Sequence, residues 1–187
     1  MEFLLRLSNR IDWALERVAH WFSWMIVACI TVITFDVITR KVGFQLPMLG
    51  STRLQELEWQ IHTFLFTTWL GYAYVKNTHV RIDVFVGGFS YRNKVWLEFL
   101  GCLVFALPYL WIALPYAFDF FWVSLIQNES SDAPNGLPYR WVVKFFMFLG
   151  LLGVALAVLS VAARCVVILF GPPDLAKRTA VPLASSH

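Results

Sequence analysis

One stretch of the sequence, from Trp59 to Phe85, constrains the fold more than any other. Its first part, up to Val75, contains no Lys, Arg, Asp or Glu, and it then ends in a polar, basic turn. About 17–20 such residues are long enough to cross the hydrocarbon core of a bilayer as a helix. Lys76 and Arg81 mark the cytoplasmic end of this helix, because Lys and Arg are enriched in cytoplasmic loops. The stretch therefore predicts a transmembrane helix.

The composition of the whole chain agrees with an integral membrane protein. Of its 187 residues, 59% are hydrophobic and only 14% are charged, whereas a soluble domain carries about 25% charged residues. The 17 Phe, nine Trp and six Tyr residues suit a bilayer, since Trp and Tyr favour its two interfaces. The net charge of +3 comes from basic loop ends and indicates no nucleic-acid partner.

The apolar stretches predict an all-α integral membrane protein with four transmembrane helices. The spans are placed at about 21–39, 59–75, 95–118 and 141–170, within a transmembrane domain covering residues 20–171. Pro108 and Pro115 predict kinks in the third span. Residues 172–187, which begin with Pro172-Pro173, are predicted to be a disordered tail.

The N-terminal 19 residues show the periodicity of an amphipathic helix. Apolar residues recur there at spacings of three and four, at Leu4, Leu7, Ile11, Leu15 and Val18. Charged residues occupy much of the remaining surface. We therefore expect an interfacial helix that lies on the membrane surface. The alternative is a helical extension of the first span into water.

The distribution of basic residues predicts the orientation of the chain. Ten of the 15 Lys and Arg residues lie in the N-terminal segment, the second loop and the C-terminal end, and five lie in the first and third loops and their flanks. The positive-inside rule therefore places both termini in the cytoplasm.

Two predicted spans carry stripes of small and polar residues. The second span has Gln60, Thr63, Thr67 and Gly71, and the fourth has Gly150, Gly153, Ala157, Ser160 and Arg164. Such stripes let a neighbouring helix approach closely. The neighbour is either a helix of a partner subunit or another helix of this chain, and the sequence leaves both alternatives open.

Charged residues are concentrated at the predicted membrane rims. Asp36 lies in the last turn of the first span, and Arg40 four residues later predicts an intrahelical ion pair. The candidate contact residues for a partner are Arg40, Glu56, Glu129 and Lys144 at the rim opposite the cytoplasm and His79, Arg81 and Asp83 at the cytoplasmic rim. The alternative for the cytoplasmic group is a basic anchor with snorkelling side chains.

No catalytic or cofactor-binding pattern is visible. Cys29, Cys102 and Cys165 stand alone in apolar runs, which is typical of small apolar core residues and gives no zinc or redox motif. His62 has no histidine partner at its depth, so haem ligation between helices has little support. A membrane anchor of a redox enzyme that binds haem or quinone remains the alternative function, and a free-standing transporter or channel is a third.

Several segments resemble the DctQ-type small membrane subunit of tripartite ATP-independent periplasmic (TRAP) transporters. The resemblance covers about residues 15–173. It rests on residues 36–40 closing the first span, on the segment LQELEW at 54–59 and on GYAY at 71–74. It also includes HVRID at 79–83, Glu129-Ser130, GLP at 136–138, and Lys144.

The resemblance implies a non-catalytic subunit of a sodium-coupled importer of an organic acid anion in the bacterial inner membrane. Its expected partners are the lipid bilayer, a large multi-span subunit, which holds the substrate and sodium sites, and a periplasmic binding protein. The small subunit would pack on the scaffold of the large one and contribute to the dock for the binding protein. No cofactor is expected in this chain, and its interface is expected to include Gln60, Gly153, Ala157 and Arg164.

Overall fold

The computed structural model describes residues 1–44, 50–78 and 88–182, and every regular element in these ranges is helical. The helices are α1 (Glu2–Phe22), α2 (Met25–Val42), α3 (Ser51–Val75), α4 (Tyr91–Gly101), a π-helical segment (Cys102–Ala106), α5 (Leu107–Ile126), α6 (Trp141–Phe170) and α7 (Pro173–Ala176). The all-α prediction is confirmed for the described residues.

Helices α1 and α2 form an almost continuous rod. The sequence predicts a boundary near residue 19, but α1 continues to Phe22, and the rod is interrupted only at Ser23 and Trp24. The Ser23 hydroxyl donates to the Ala19 carbonyl oxygen over 2.8 Å, a local bond that often bends a helix. The chain thus passes from the amphipathic segment into the apolar one with little change of structure. A location of α1 on the membrane surface stays a prediction.

Glycine ends α2. Gly43 has a φ of +75°, and its N–H donates to the Arg40 carbonyl while the N–H of Phe44 donates to the Thr39 carbonyl. These two bonds form a Schellman motif, which satisfies the last carbonyls of a helix and favours glycine at the left-handed position. Helix α3 then begins at Ser51, so it starts eight residues before the span predicted at 59–75.

The long helices pack side by side with α6 at the centre. The α1–α2 rod runs antiparallel to α3: the Trp69 indole N–H donates to the Ala19 carbonyl over 3.1 Å, and the Cys29 thiol contacts the Glu58 carbonyl at 3.9 Å. Helix α3 runs parallel to α6, which also contacts α1, α4 and α5. Helix α6 therefore contacts α1, α3, α4 and α5, whereas α2 packs on α3.

The predicted third span is longer and more irregular than expected. Its helix runs from Tyr91 to Ile126 and contains a π-helical segment at 102–106. Pro108 follows this segment in the first turn of α5. Proline has no N–H to donate to the preceding turn, and a π-helical turn is one way in which a helix accommodates the lost bond.

The C-terminal segment differs from the disorder predicted for it. Residues 173–176 form α7, and the chain then returns to the bundle, where Val181 is 1% exposed. Val181 belongs to the main core cluster, together with Val95, Cys102 and Val161. Pro172 and Pro173 end α6, but Val181 beyond them still packs against the helix bundle. Residues 183–187 lie outside the described part.

Three stretches of helix are long and apolar enough to cross a membrane. They are Glu2–Val42, Tyr91–Ile126 and Trp141–Phe170, in a search of the described residues. Helix α3 is not among them: residues 59–75 carry no Asp, Glu, Lys or Arg, but Gln60, His62, three threonines and two tyrosines lower the mean hydropathy. The predicted number of four spans therefore stays a prediction.

Candidate contact sites

The two small-residue stripes face each other inside the chain. A Cβ built on Gly71 would lie 2.5 Å from the carbonyl oxygen of Gly153, and one built on Gly150 would lie 2.7 Å from the Cβ of Thr67. Ala157 is 0% exposed. The structure thus uses Gly153 for packing between α3 and α6 and buries Ala157 within the chain, which is the second of the two alternatives that the sequence leaves open.

Gln60 stands apart from this helix contact. It lies on α3 and is half-buried, whereas the close contacts with Gly150 and Gly153 are made by Thr67 and Gly71, further along α3. Gln60 is therefore partly accessible, and Gly153 and Arg164 are likewise only partly buried.

A polar cluster that the sequence did not reveal joins α1 to α6. The Ser8 and Ser160 hydroxyls lie 2.7 Å apart, and the Ser160 hydroxyl donates to a carboxylate oxygen of Asp12 over 2.6 Å. Arg164 donates to the other Asp12 oxygen and, over 2.9 Å, to the Ser8 hydroxyl. The Arg164 side chain is only 17% exposed and that of Asp12 13%. Arg164 therefore holds α1 against α6.

The ion pair predicted at the end of the first span is present in the structure. Arg40 contacts the carboxylate of Asp36, which is completely buried, whereas the Arg40 side chain is 47% exposed. The Ser51 hydroxyl, at the start of α3, lies 3.4 Å from the second Asp36 oxygen. Asp36 is thus neutralised from its own helix and contacted by the next, and Arg40 keeps an exposed surface.

Glu56 folds back onto the loop between α5 and α6. One carboxylate oxygen accepts the Ser131 hydroxyl and the other accepts the backbone N–H of Leu137 over 2.5 Å. Gly136 lies so close that an added Cβ would stand 2.9 Å from the Glu56 carboxylate. Glu56, predicted as a partner contact, has its acceptors occupied within the chain.

Glu129 and Lys144 form an ion pair at the same end of the molecule. The Lys144 ammonium donates to Glu129 and also lies 3.9 Å from the ring centre of Phe120. The Lys144 side chain is 12% exposed. The hydrogen bond from Lys144 lowers the pKa of the Glu129 carboxyl below its usual value of 4.5. Arg140, 2.8 Å from Asp132, adds a second ion pair to this loop.

A second polar group that the sequence analysis missed lies near the opposite end of the bundle. Glu98 on α4 is 6% exposed and accepts the Tyr74 hydroxyl over 3.0 Å, and Tyr74 also lies 3.3 Å from the Cys102 thiol. A lone carboxylate within the apolar run that follows Val95 was the available signal, since a charge is rarely buried without partners.

The remaining predicted contact residues cannot be placed. His79, Arg81 and Asp83 lie in 79–87, outside the described residues. Among residues 1–44, 50–78 and 88–182, no group of three or more His, Cys, Asp or Glu side chains could hold a metal ion. His20 and His62 are both exposed, so this geometry gives no support to the haem-anchor alternative.

The polar clusters described above join elements of this chain to one another. The exposed surface is instead largely apolar and aromatic, with Trp111 82%, Phe105 75% and Tyr116 70% exposed on the π-helical segment and α5. Aromatic surface of this kind suits a bilayer or a second membrane protein.

Of three comparisons with known proteins, one gave a match. A search of curated proteins and a search of solved structures each gave no match. The family model of the tripartite ATP-independent periplasmic transporters, DctQ component, matches residues 29–168. The match covers most of the chain and includes α3, the π-helical segment and most of α6. The chain therefore belongs to the DctQ component family of tripartite ATP-independent periplasmic transporters.

Proposed function

We propose that this chain is the non-catalytic small membrane subunit of a sodium-coupled TRAP importer of an organic acid anion in a bacterial inner membrane. The observation that carries the proposal is the family match over residues 29–168. The name of the family already states a component of a multipart transporter. Sodium coupling, the organic acid and the inner membrane come from the resemblance of the sequence and are tested below.

The arrangement of polar residues supports an accessory role. Asp12 with Arg164 and Glu129 with Lys144 are paired within the chain. A pathway for an anion needs accessible polar groups near the middle of the membrane. At the level where α3 crosses α6, the structure has Gly71, Gly150 and Gly153 in backbone contact instead. This geometry favours a rigid scaffold over a transport pathway.

The parallel packing of α3 and α6 supports four spans. The rings of Phe64 and Phe146 are in contact, tilted by 41° with their centres 4.3 Å apart, and Thr67 and Gly71 contact Gly150 and Gly153 further along. Residues at matching steps along two parallel helices lie at the same depth. If α6 crosses the membrane, α3 crosses with it, in agreement with the span that the sequence predicts at residues 59–75.

We propose that the large subunit packs on the exposed surface of this bundle. The accessible rim candidates are Arg40 and Gln60, and His79, Arg81 and Asp83 are added from the sequence. Replacing Arg81 or Asp83 by Ala should weaken assembly with the large subunit. The exposed aromatic side chains of α5 offer an apolar area for the same contact or for lipid.

Transport by reconstituted components tests the function. The chain, its large subunit and the periplasmic binding protein would be combined in proteoliposomes with labelled dicarboxylates, keto acids and sugar acids. We expect uptake of one class only with all three components and an inward sodium gradient. Uptake by this chain alone would instead support a free-standing transporter. Uptake without a sodium gradient would contradict the proposed sodium coupling.

A further inference from the structure

A cavity of about 460 Å³ lies where the start of α1 meets the end of α6 and the C-terminal segment. Three arginines from these three elements line it: Arg6, Arg164 and Arg178. We call this space the arginine cavity. Leu5 and Leu175 also line it, so its wall is partly apolar. No function described above uses this space.

The charges around the arginine cavity do not cancel. Glu2 lines it and pairs with Arg6 at 3.0 Å. Arg164 pairs with Asp12, which is outside the lining. Arg178 makes no ion pair with any residue in the described ranges, and its side chain is available to the cavity. Even when both carboxylates are counted against the three guanidinium groups, one positive charge remains.

We propose that the arginine cavity binds a phosphate group, and that the source of this phosphate is the headgroup of an anionic phospholipid. Guanidinium groups bind phosphate oxygens with paired, charge-assisted hydrogen bonds. Leu5 and Leu175 beside the arginines favour an amphiphile over an inorganic ion. The choice of lipid rests on the proposed topology, in which both termini face the cytoplasmic leaflet with its anionic lipids.

Such a ligand would join three elements that are distant in sequence. Arg6 lies on α1, Arg164 on α6, and Arg178 follows α7. A phosphate held by all three would reduce the repulsion between them and fix the C-terminal segment against α1. Lipid binding should therefore stabilise the folded chain, as any ligand of the native state does.

The test measures the thermal stability of the full-length chain, solubilised mildly with any partner that remains bound. The protein would be stripped of lipid and then supplied with phosphatidylglycerol, phosphatidylcholine or inorganic phosphate. We expect phosphatidylglycerol to raise the Tm in a saturable way and at lower concentration than phosphatidylcholine.

Two variants make this response specific. Arg178→Gln removes the arginine that has no ion pair, so the contacts between helices are retained, and it should weaken the apparent affinity for phosphatidylglycerol about tenfold. Arg17→Gln is the matched control, because Arg17 is an exposed arginine of α1 that lies over the Trp13 ring at 5.0 Å, outside the cavity. It should bind phosphatidylglycerol like the wild type.

Each outcome decides a separate point. An equal response of wild type and Arg178→Gln to every additive would overturn the site. An Arg178-dependent response to inorganic phosphate without one to phosphatidylglycerol would keep a phosphate site and overturn the lipid source. A chain that binds the lipid but purifies without a polytopic partner would support the lipid site and contradict the accessory function proposed above.

Discussion

Gly71 of α3 lies directly against Gly153 of α6. An added Cβ at Gly71 would stand 2.5 Å from the carbonyl oxygen of Gly153 and 3.2 Å from a methyl group of Leu15. One glycine thus allows α3, α6 and α1 to meet at a single point. Close helix approach through small residues is the main source of helix association in membranes, where burial of apolar surface between helices gains little.

Gly71→Ala should therefore destabilise the chain. The new methyl group meets backbone atoms, which cannot rotate away, and such overpacking costs about 1–3 kcal/mol. The matched control is Gly101→Ala, because an added Cβ there has no neighbour within 4 Å and alanine favours helix by about 1 kcal/mol. Thermal unfolding in detergent would compare both variants with the wild type. A Gly71→Ala variant as stable as Gly101→Ala would contradict the close contact.

The contact between α1 and α6 should depend on the Asp12–Arg164 pair. Asp12→Asn leaves Arg164 partly buried without its charge partner, so we expect the free energy of unfolding to fall by about 1.5–3 kcal/mol. Arg164→Gln should have a similar effect. The double variant should cost less than the two single changes added together, because the second change removes a group already left unpaired. Strict additivity in this double-mutant cycle would show that the pair is not coupled.

The Glu129–Lys144 pair should make stability depend on pH. The hydrogen bond from Lys144 lowers the pKa of Glu129 from 4.5. The folded state therefore favours the ionised form of this carboxyl group more than the unfolded state does. The contribution is complete above the unfolded pKa and is lost as the pH falls through the lower folded pKa.

Measuring the Tm against pH for wild type and Glu129→Gln isolates this contribution from that of other carboxylates. The difference between the two proteins should be constant near neutral pH and shrink as the pH falls below 4.5. If the Tm difference between the two proteins instead grew on acidification, the ion pair would not be a stabilising contact.

Cysteine labelling should show the C-terminal end on the cytoplasmic side and the loop between α5 and α6 on the opposite side. The native cysteines Cys29, Cys102 and Cys165 are buried and give a low background. Asp132→Cys, at a side chain that is 94% exposed, should react with a membrane-impermeant maleimide in intact spheroplasts. Lys177→Cys should react only after the membrane is opened. Labelling of Lys177→Cys in intact spheroplasts would reject the proposed orientation.

Part of this structure could be predicted from the sequence, because apolar length and helical spacing are local properties. The helix at 141–170 has the predicted bounds, and the Asp36–Arg40 contact is the one that four-residue spacing predicts. Asp12 was not recognised as a partner of Arg164, since their contact joins residues 152 positions apart and depends on how α1 packs.

The candidate contact sites illustrate the same limit. Glu56 and Lys144 look like free rim charges in the sequence, and the fold supplies Leu137 and Glu129 as their partners. A stripe such as that around Gly153 specifies close packing but does not specify which helix approaches it. Only the parallel arrangement of α3 and α6 shows that this helix belongs to the same chain.

Co-purification tests the central claim most directly. A tag after His187 would be used to isolate the full-length chain in mild detergent from its native membrane, and the proteins that accompany it would be identified and their stoichiometry measured. The account predicts one polytopic membrane protein in a fixed ratio, and a sample without a haem absorption band. A chain that purifies alone would contradict the accessory-subunit function, and a coloured complex with redox subunits would replace it with the anchor function.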